Sequence, residues 1–153
     1  MTGLANFLLG AKRATYASGD GSARVTALLP GARQLEWQDG DWLYRDHYFG
    51  LLNFVGQEVV YRAGVPVWSM AYAGGLTLGV AGEQAERVYR ALRAALQEAP
   101  QDLALRGPAQ FEAEGLHYGL AVEGDLARFH LHETLSEAGR VLYELRGSGG
   151  DLV

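Results

Sequence analysis

Apolar and polar residues alternate along residues 42–72, the stretch of the chain that is also richest in Trp and Tyr. Alternation with a period of two is typical of β-strands whose two faces meet different surroundings. Two hairpin turns are predicted nearby, at Asp39-Gly40 and at Ala63-Gly64, because Gly accepts the positive φ that a two-residue turn needs. The pattern therefore predicts antiparallel strands near residues 34–38, 41–49, 54–62 and 65–73, which form the hairpins of residues 34–73.

These turns predict which side chains share a face of the sheet, because successive side chains of a strand point to opposite faces. A turn at Asp39-Gly40 places Trp37 opposite Trp42. One face of that hairpin then carries Leu35, Trp37, Trp42, Tyr44, Asp46 and Tyr48. A turn at Ala63-Gly64 places Val59 opposite Trp68. One face of this second hairpin carries Val59, Tyr61, Trp68, Met70 and Tyr72, and the other carries Glu58, Val60, Val67 and Ser69.

Two other segments repeat apolar residues at the intervals of three and four that an α-helix requires. The first helix is predicted over residues 3–17, with Thr2 as its N-cap. The second is predicted over residues 83–98 and cannot continue through Pro100. Residues 23–33 show no clean period, so they are predicted to form an irregular connector with room for one short strand.

The last third of the chain returns to hairpins, predicted over residues 109–146. Turns at Glu114-Gly115 and at Gly124-Asp125 place Phe111 opposite Tyr118 and Leu120 opposite Phe129. A three-residue loop at 137–139 places Glu133 opposite Tyr143. That loop is preferred over a two-residue turn, which would place Glu133 opposite Glu144 and so oppose two like charges. Residues 147–153 are predicted to be a frayed tail.

The order of elements is helix, hairpins, helix, hairpins, without the alternating β-α-β units of a doubly wound fold. We therefore predict an α+β fold. Its curved antiparallel sheet has about six to eight strands, with two α-helices packed on one face. At 153 residues the chain is most simply a single domain, residues 1–153.

Composition excludes several classes of function. The chain has no Cys, which rules out disulfides and thiolate metal sites. Its net charge of −5 and its single Lys give no support to a phosphate-backbone partner. The N-terminal apolar run is followed, not preceded, by the basic pair Lys12-Arg13, an order that is wrong for a signal peptide. Since no apolar run reaches the ~20 residues that cross a bilayer, we expect a cytoplasmic protein without membrane association.

Five segments carry a resemblance to a known family: ATYASG at 14–19, LEWQDGDWLYRDHYFG at 35–50, GQEVVYRAGVPVWSMAYAG at 56–74, LRGP at 105–108 and VLYELRGSGG at 141–150. Together they resemble a bacterial family of unknown function, most closely over residues 35–74. The resemblance implies a domain that occurs alone or C-terminal to XRE-type helix-turn-helix transcriptional regulators. Such a domain would have an effector-sensing or dimerising role. Because no two closely spaced helices precede residue 35, direct nucleic-acid binding is not expected.

A carboxylate, Asp46, lies among the aromatic residues of the predicted sheet. Aromatic walls with a few polar groups are typical of small-molecule sites, and Tyr and Trp can orient a planar or cationic ligand. The candidate ligand-binding residues are Trp42, Tyr44, Asp46, Tyr48, Glu58, Tyr61, Trp68, Met70, Tyr72 and Arg106. The alternative is that these residues form the core beneath the helices. An ion pair from Asp46 to Arg45, Arg62 or Arg106 would remove the argument for a ligand.

Other chemistry has less support in the sequence. The histidines His117, His130 and His132 are predicted to be exposed strand residues, so no metal site is assigned. Carboxylates are available for acid–base work, but the neighbours Asp46 and His47 point to opposite faces of their strand. No G-x-S-x-G or phosphate-loop pattern occurs. The sequence therefore assigns no catalytic residue and no cofactor.

The leading hypothesis is an uncharacterised, non-enzymatic domain that binds or senses a small molecule on its aromatic sheet face, anchored by Asp46 or Glu58. One alternative is a homodimerisation or protein-interaction module that uses the same face or an edge strand. The other alternative is a small hydrolase-like or isomerase-like enzyme that uses Asp46 and Glu58.

Overall fold

The computed structural model describes residues 2–152. The side chain of Thr2, the predicted N-cap, lies outside what is described. The helices are α1 (Thr2–Ala14) and α2 (Gly82–Gln97), and a 3-10 turn (Tyr16–Ser18) follows α1. The strands are β1 (Arg24–Val25), β2 (Arg33–Asp39), β3 (Trp42–Gly50), β4 (Asn53–Arg62), β5 (Val65–Leu76), β6 (Gln110–Ala113), β7 (Leu116–Asp125), β8 (Arg128–Glu137) and β9 (Arg140–Asp151).

All nine strands belong to one open antiparallel sheet with the order β1-β2-β3-β4-β5-β9-β8-β7-β6. The α+β class is confirmed, whereas the predicted count of six to eight strands is wrong. The strand that the prediction did not count is β1, which has only two residues and thus no alternation to recognise. Each half of the chain forms a run of hairpins, and the pairing of β5 with β9 joins the halves.

The turn between β2 and β3 lies one residue later than predicted, at Gly40-Asp41. Trp37 consequently faces Tyr44, and Leu35 faces Asp46. This register differs from the predicted one by two residues on β3. Because side chains alternate with a period of two, the predicted face of this hairpin is unchanged.

A β-bulge in the next hairpin changes the predicted faces. Tyr61 faces Pro66 as predicted, but Val60 faces Trp68 because the register shifts between Val60 and Tyr61. A bulge inserts one residue, which moves the side chains beyond it to the other face. Glu58 and Val60 therefore lie on the face of Trp68, Met70 and Tyr72, whereas the prediction put them on the opposite face.

The last hairpins also differ from the prediction. Phe111 faces Tyr118 as predicted, but Gly124 and Asp125 belong to β7, so Leu120 faces Glu133 instead of Phe129. The predicted three-residue loop at 137–139 is wrong, since Glu137 belongs to β8 and pairs directly with Arg140.

The turn between β8 and β9 is therefore the two-residue turn Ala138-Gly139. A bulge between Leu135 and Ser136, close to this turn, places Glu133 opposite Leu145. The bulge thus removes the like-charge pair that made a two-residue turn look unfavourable. The prediction made residues 147–153 a frayed tail, but residues 147–151 form the end of β9. All five of these residues pair with β5, and residues 147–150 also pair with β8.

Both helices pack on the same face of the sheet. The ring of Phe7 in α1 lies 5.1 Å from that of Trp37 and 5.4 Å from that of Trp42. In α2, the ring of Tyr89 lies 6.3 Å from that of Tyr143. Neither helix of the described chain has the length and apolar character that crossing a bilayer requires.

Candidate functional site

A cavity of about 620 Å³ lies between the two helices and the sheet. Small-molecule sites typically have volumes of about 300–1,000 Å³. Aromatic rings from six different elements line it: Tyr16, Tyr44, Tyr48, Phe54, Tyr72, Tyr89 and Tyr143. The space is therefore large enough for a small ligand and is mostly apolar at its walls.

Two carboxylates stand side by side on the sheet face that forms the floor of the cavity. Asp46 of β3 lies directly opposite Glu58 of β4. Both are buried, at 5% and 3% exposure. Side chains in directly opposite positions have Cβ atoms about 4.5–5.5 Å apart, so the two acids are immediate neighbours.

Glu58 is paired with a cation from α1. The Nζ of Lys12 lies 2.7 Å from Oε2 of Glu58, and Lys12 occupies the sheet-facing side of α1 because it follows the buried Leu8 by one helical turn. Burial lowers the pKa of Lys12 below its usual range, while the charge of Glu58 acts in the opposite direction. The pair therefore places one positive and one negative charge together inside the protein.

Asp46 has no cation of its own. The hydroxyl of Tyr72 donates a hydrogen bond of 2.7 Å to its Oδ1, and its Oδ2 has no hydrogen-bond partner among residues 2–152. Every side-chain nitrogen or oxygen of the described residues that is sealed from solvent does have a partner. The free oxygen of Asp46 therefore lies where the cavity reaches it. Burial, followed by the charge of Glu58, raises the pKa of Asp46 to about 7.

A second buried ion pair borders the cavity. Arg106, in the segment between α2 and β6, donates from Nε and Nη2 to the two oxygens of Glu133 at 2.9 and 2.7 Å. The hydroxyls of Tyr118 and Tyr143 donate to the same carboxylate at 2.6 and 3.0 Å. Although burial opposes it, these four donors hold the pKa of Glu133 below its usual range. Arg106 is thus committed to Glu133 and does not neutralise Asp46.

Of the ten residues predicted to bind a ligand, six line the cavity: Tyr44, Asp46, Tyr48, Glu58, Tyr72 and Arg106. Trp68 and Met70 are fully buried beside it, with the Trp68 ring 5.8 Å from that of Phe129. Trp42 packs against α1 outside the cavity. Tyr61 lies on the opposite face of the sheet, 5.5 Å from the guanidinium of Arg45, because of the bulge in β4 and β5.

Several cavity residues were missed by the sequence analysis. Lys12 is the most important, and its signal was present: it is the single Lys of the chain and follows Leu8 by four residues on the apolar side of a predicted helix. Arg90 and Arg93, whose side of α2 was not assigned to the site, also line the cavity. Tyr143 lines the cavity because β9 pairs with β5. No local sequence pattern predicts this long-range pairing.

The turn between β3 and β4 forms part of the cavity's rim. Leu51 and Leu52 line the cavity and are each 60% exposed. The hydroxyl of Tyr89 donates to the carbonyl oxygen of Leu51 at 2.7 Å and so connects this turn to α2. The charged residues of α2 that line the cavity, Glu86, Arg90 and Arg93, have mixed signs.

The histidines lie apart from this cavity. His117 pairs with Glu112 at 2.6 Å, as the predicted register implied, and His132 pairs with Glu144 at 2.9 Å. Within residues 2–152, no three His, Cys, Asp or Glu side chains come close enough together to hold a metal ion. The chemistry of the site therefore rests on its carboxylates, its two buried cations and its tyrosine hydroxyls.

Comparison with known proteins identifies one family. A family model described as a domain of unknown function, DUF5680, matches residues 46–152, which is more than half of the chain. The match includes Asp46, Glu58, Arg106 and Glu133 but not Lys12. No curated protein and no solved structure matches the chain.

Proposed function

The chain belongs to the DUF5680 family, whose description assigns no activity, and we propose that it is a non-enzymatic domain that binds or senses a small molecule in the cavity beneath α1 and α2. The observation that carries this proposal is the position of Asp46, a buried carboxylate with one oxygen free at the floor of a 620 Å³ cavity. Because the cavity reaches this oxygen, the donor group of a bound ligand can form a hydrogen bond to it. A purely structural core has no use for a carboxylate oxygen that faces an open cavity.

The walls and floor support the same conclusion. The rings of Tyr44, Tyr48 and Tyr72 offer rigid apolar surface beside the free carboxylate oxygen. The floor residues come from central strands that pair along their whole length, so the site is preformed. The resemblance to domains that follow XRE-type regulators supports a sensing role, in which the bound ligand reports to another protein.

A thermal-shift screen of a metabolite library tests this proposal. The wild type is compared with Ala17→Phe, which adds a ring to a residue that lines the cavity. The matched control is Ala71→Phe, an exposed position on the opposite face of the sheet. A ligand at one hundred times its Kd adds about 2.7 kcal/mol of stability. In a chain of this size that raises Tm by roughly 5–10 °C.

We expect at least one chemical class in the library to raise the Tm of the wild type and of Ala71→Phe, but not that of Ala17→Phe. A library in which no compound raises the Tm of the wild type would contradict the proposal. So would a stabilising compound that acts equally on Ala17→Phe, since its site would then lie elsewhere.

A further inference from the structure

The buried charges of this protein do not balance. The charged side chains that are buried within the described residues are Lys12, Asp46, Glu58, Arg106 and Glu133. Two of them are cations and three are acids. Lys12 is committed to Glu58 at 2.7 Å, and Arg106 is committed to both oxygens of Glu133. Asp46 is the acid that remains without a cation.

The groups that face Asp46 come from every element around it. They are Tyr44 and Tyr48 on its own strand β3, Glu58 on β4, Tyr72 on β5, Lys12 on α1 and Arg106 on the segment before β6. Among them only the Tyr72 hydroxyl is hydrogen-bonded to Asp46. A ligand cation placed at the free Oδ2 would supply the missing charge. It would also lie close to the faces of tyrosine rings, which attract cations.

We propose that the cavity takes an organic cation, an ammonium or amidinium group carried on an apolar or aromatic body, with the cation against Asp46 and the body between the aromatic walls. This inference rests on the proposed binding function and names its ligand class. Anionic ligands fit poorly, because their charge would lie beside the carboxylates of Asp46 and Glu58. The two buried cations nearby are already paired, Lys12 with Glu58 and Arg106 with Glu133. The charged residues at the rim do not discriminate between cationic and anionic ligands, since Glu86, Arg90 and Arg93 have mixed signs.

Binding of a cation is coupled to protonation of Asp46. A positive charge beside this carboxyl favours its ionised form, so the ligand releases a proton wherever Asp46 is still protonated. The pKa of the free Asp46 carboxyl is raised to about 7 by burial and by the charge of Glu58. The affinity for a cation should therefore be constant above pH 7 and should fall by up to about tenfold per pH unit below it.

Three probes with one shared body test this inference: 3-phenylpropan-1-amine, 3-phenylpropan-1-ol and 3-phenylpropanoate. Calorimetric titration at pH 8 is expected to give an affinity for the amine about tenfold above that for the alcohol, with the carboxylate weakest. Asp46→Asn should remove the preference for the amine and leave the affinity for the alcohol within about twofold. Titration of the wild type with the amine at pH 6, in two buffers of different ionisation enthalpy, should show proton release, and this readout needs no variant.

The possible outcomes separate this inference from the function it rests on. Three results would rule out a cationic ligand: tightest binding by 3-phenylpropanoate, a preference for the amine that Asp46→Asn retains, or binding of the amine without proton release. The cavity would remain a binding site in each case. If none of the three probes binds at millimolar concentration, the inference fails. The proposed function fails with it only when the metabolite library also gives no stabilising compound.

Discussion

Asp46 and Glu58 lie directly opposite each other on neighbouring strands, yet only Glu58 is paired with a cation. The Nζ of Lys12 lies 2.7 Å from Oε2 of Glu58. Asp46 receives only the hydroxyl of Tyr72, and burial together with the charge of Glu58 raises its pKa to about 7. Two neighbouring carboxyl groups at one site thus have different partners, and the difference comes from Lys12 in α1.

The pH dependence of stability should reveal the raised pKa of Asp46. A carboxyl whose pKa is higher in the folded than in the unfolded state binds more protons when folded. Its contribution to the free energy of unfolding is therefore complete below its ordinary pKa of 3.8 and is lost as the pH rises to about 7. The free energy of unfolding of the wild type, relative to that of Asp46→Asn, should fall over this range and stay level above it. Urea denaturation between pH 4 and pH 8 measures the difference, and parallel profiles would refute the raised pKa.

Removing the cation of the Lys12–Glu58 pair should lower the free energy of unfolding substantially. Lys12→Met leaves Glu58 buried without a partner, and losing one member of a buried ion pair typically costs 3–5 kcal/mol. The double variant Lys12→Met with Glu58→Gln removes the stranded charge and should recover a substantial part of that loss. Chemical denaturation at pH 8 compares the three proteins. A single variant within about 1 kcal/mol of the wild type would show that the pair contributes little.

The Arg106–Glu133 pair depends on the planar guanidinium. Arg106 makes two parallel hydrogen bonds that a lysine cannot reproduce. Arg106→Lys should therefore lower the free energy of unfolding by about 1.5–3 kcal/mol. Arg87→Lys is the matched control, because Arg87 pairs with Glu137 near the surface at 2.9 Å. Arg87→Lys should change the free energy of unfolding by at most about 0.5 kcal/mol. Equal effects of the two substitutions would contradict the claim that the buried pair stabilises the protein more than the surface pair.

Gly56 makes room for the side chain that holds Asp46. A Cβ at position 56 would lie 2.4 Å from the Tyr72 hydroxyl oxygen and 2.7 Å from the carbonyl oxygen of His47. Gly56→Ala should destabilise the protein by about 1–3 kcal/mol, as overpacking does, and should displace Tyr72 from Asp46. Gly119→Ala is the control, since the nearest atom to its Cβ, in Thr134, would be 3.5 Å away. This second substitution should be neutral or slightly stabilising in thermal denaturation. A neutral Gly56→Ala would mean that Tyr72 is free to move.

The faces of the first hairpin were predictable from alternation alone. Predicting the turn at Asp39-Gly40 instead of Gly40-Asp41 changed the register by two residues, which left Tyr44 and Asp46 on the correct face. The bulge between Val60 and Tyr61 was not predictable in the same way. A bulge changes the register by one residue, and alternation on either side of it looks normal. The sequence therefore identified Glu58 as a candidate while assigning it to the wrong face.

Contacts between distant segments account for most of what the sequence did not reveal. Arg106 meets Glu133 across 27 positions, and Lys12 meets Glu58 across 46. These pairs exist because β5 joins β9 and because both helices cover the same sheet face. Local periodicity predicts which face a residue takes within its own hairpin. It does not predict which hairpins become neighbours, and the cavity depends on that choice.

The free carboxylate of Asp46 can be observed directly. An NMR titration that follows the side-chain carboxyl carbon of Asp46, with and without 3-phenylpropan-1-amine, gives its pKa in each state. We predict a midpoint of about 7 in the free protein and a lower one when the amine is bound, because a nearby positive charge favours the ionised form. A midpoint near 3.8 in the free protein, or one that the amine does not shift, would contradict the central claim that Asp46 is the unpaired acid of a ligand cavity.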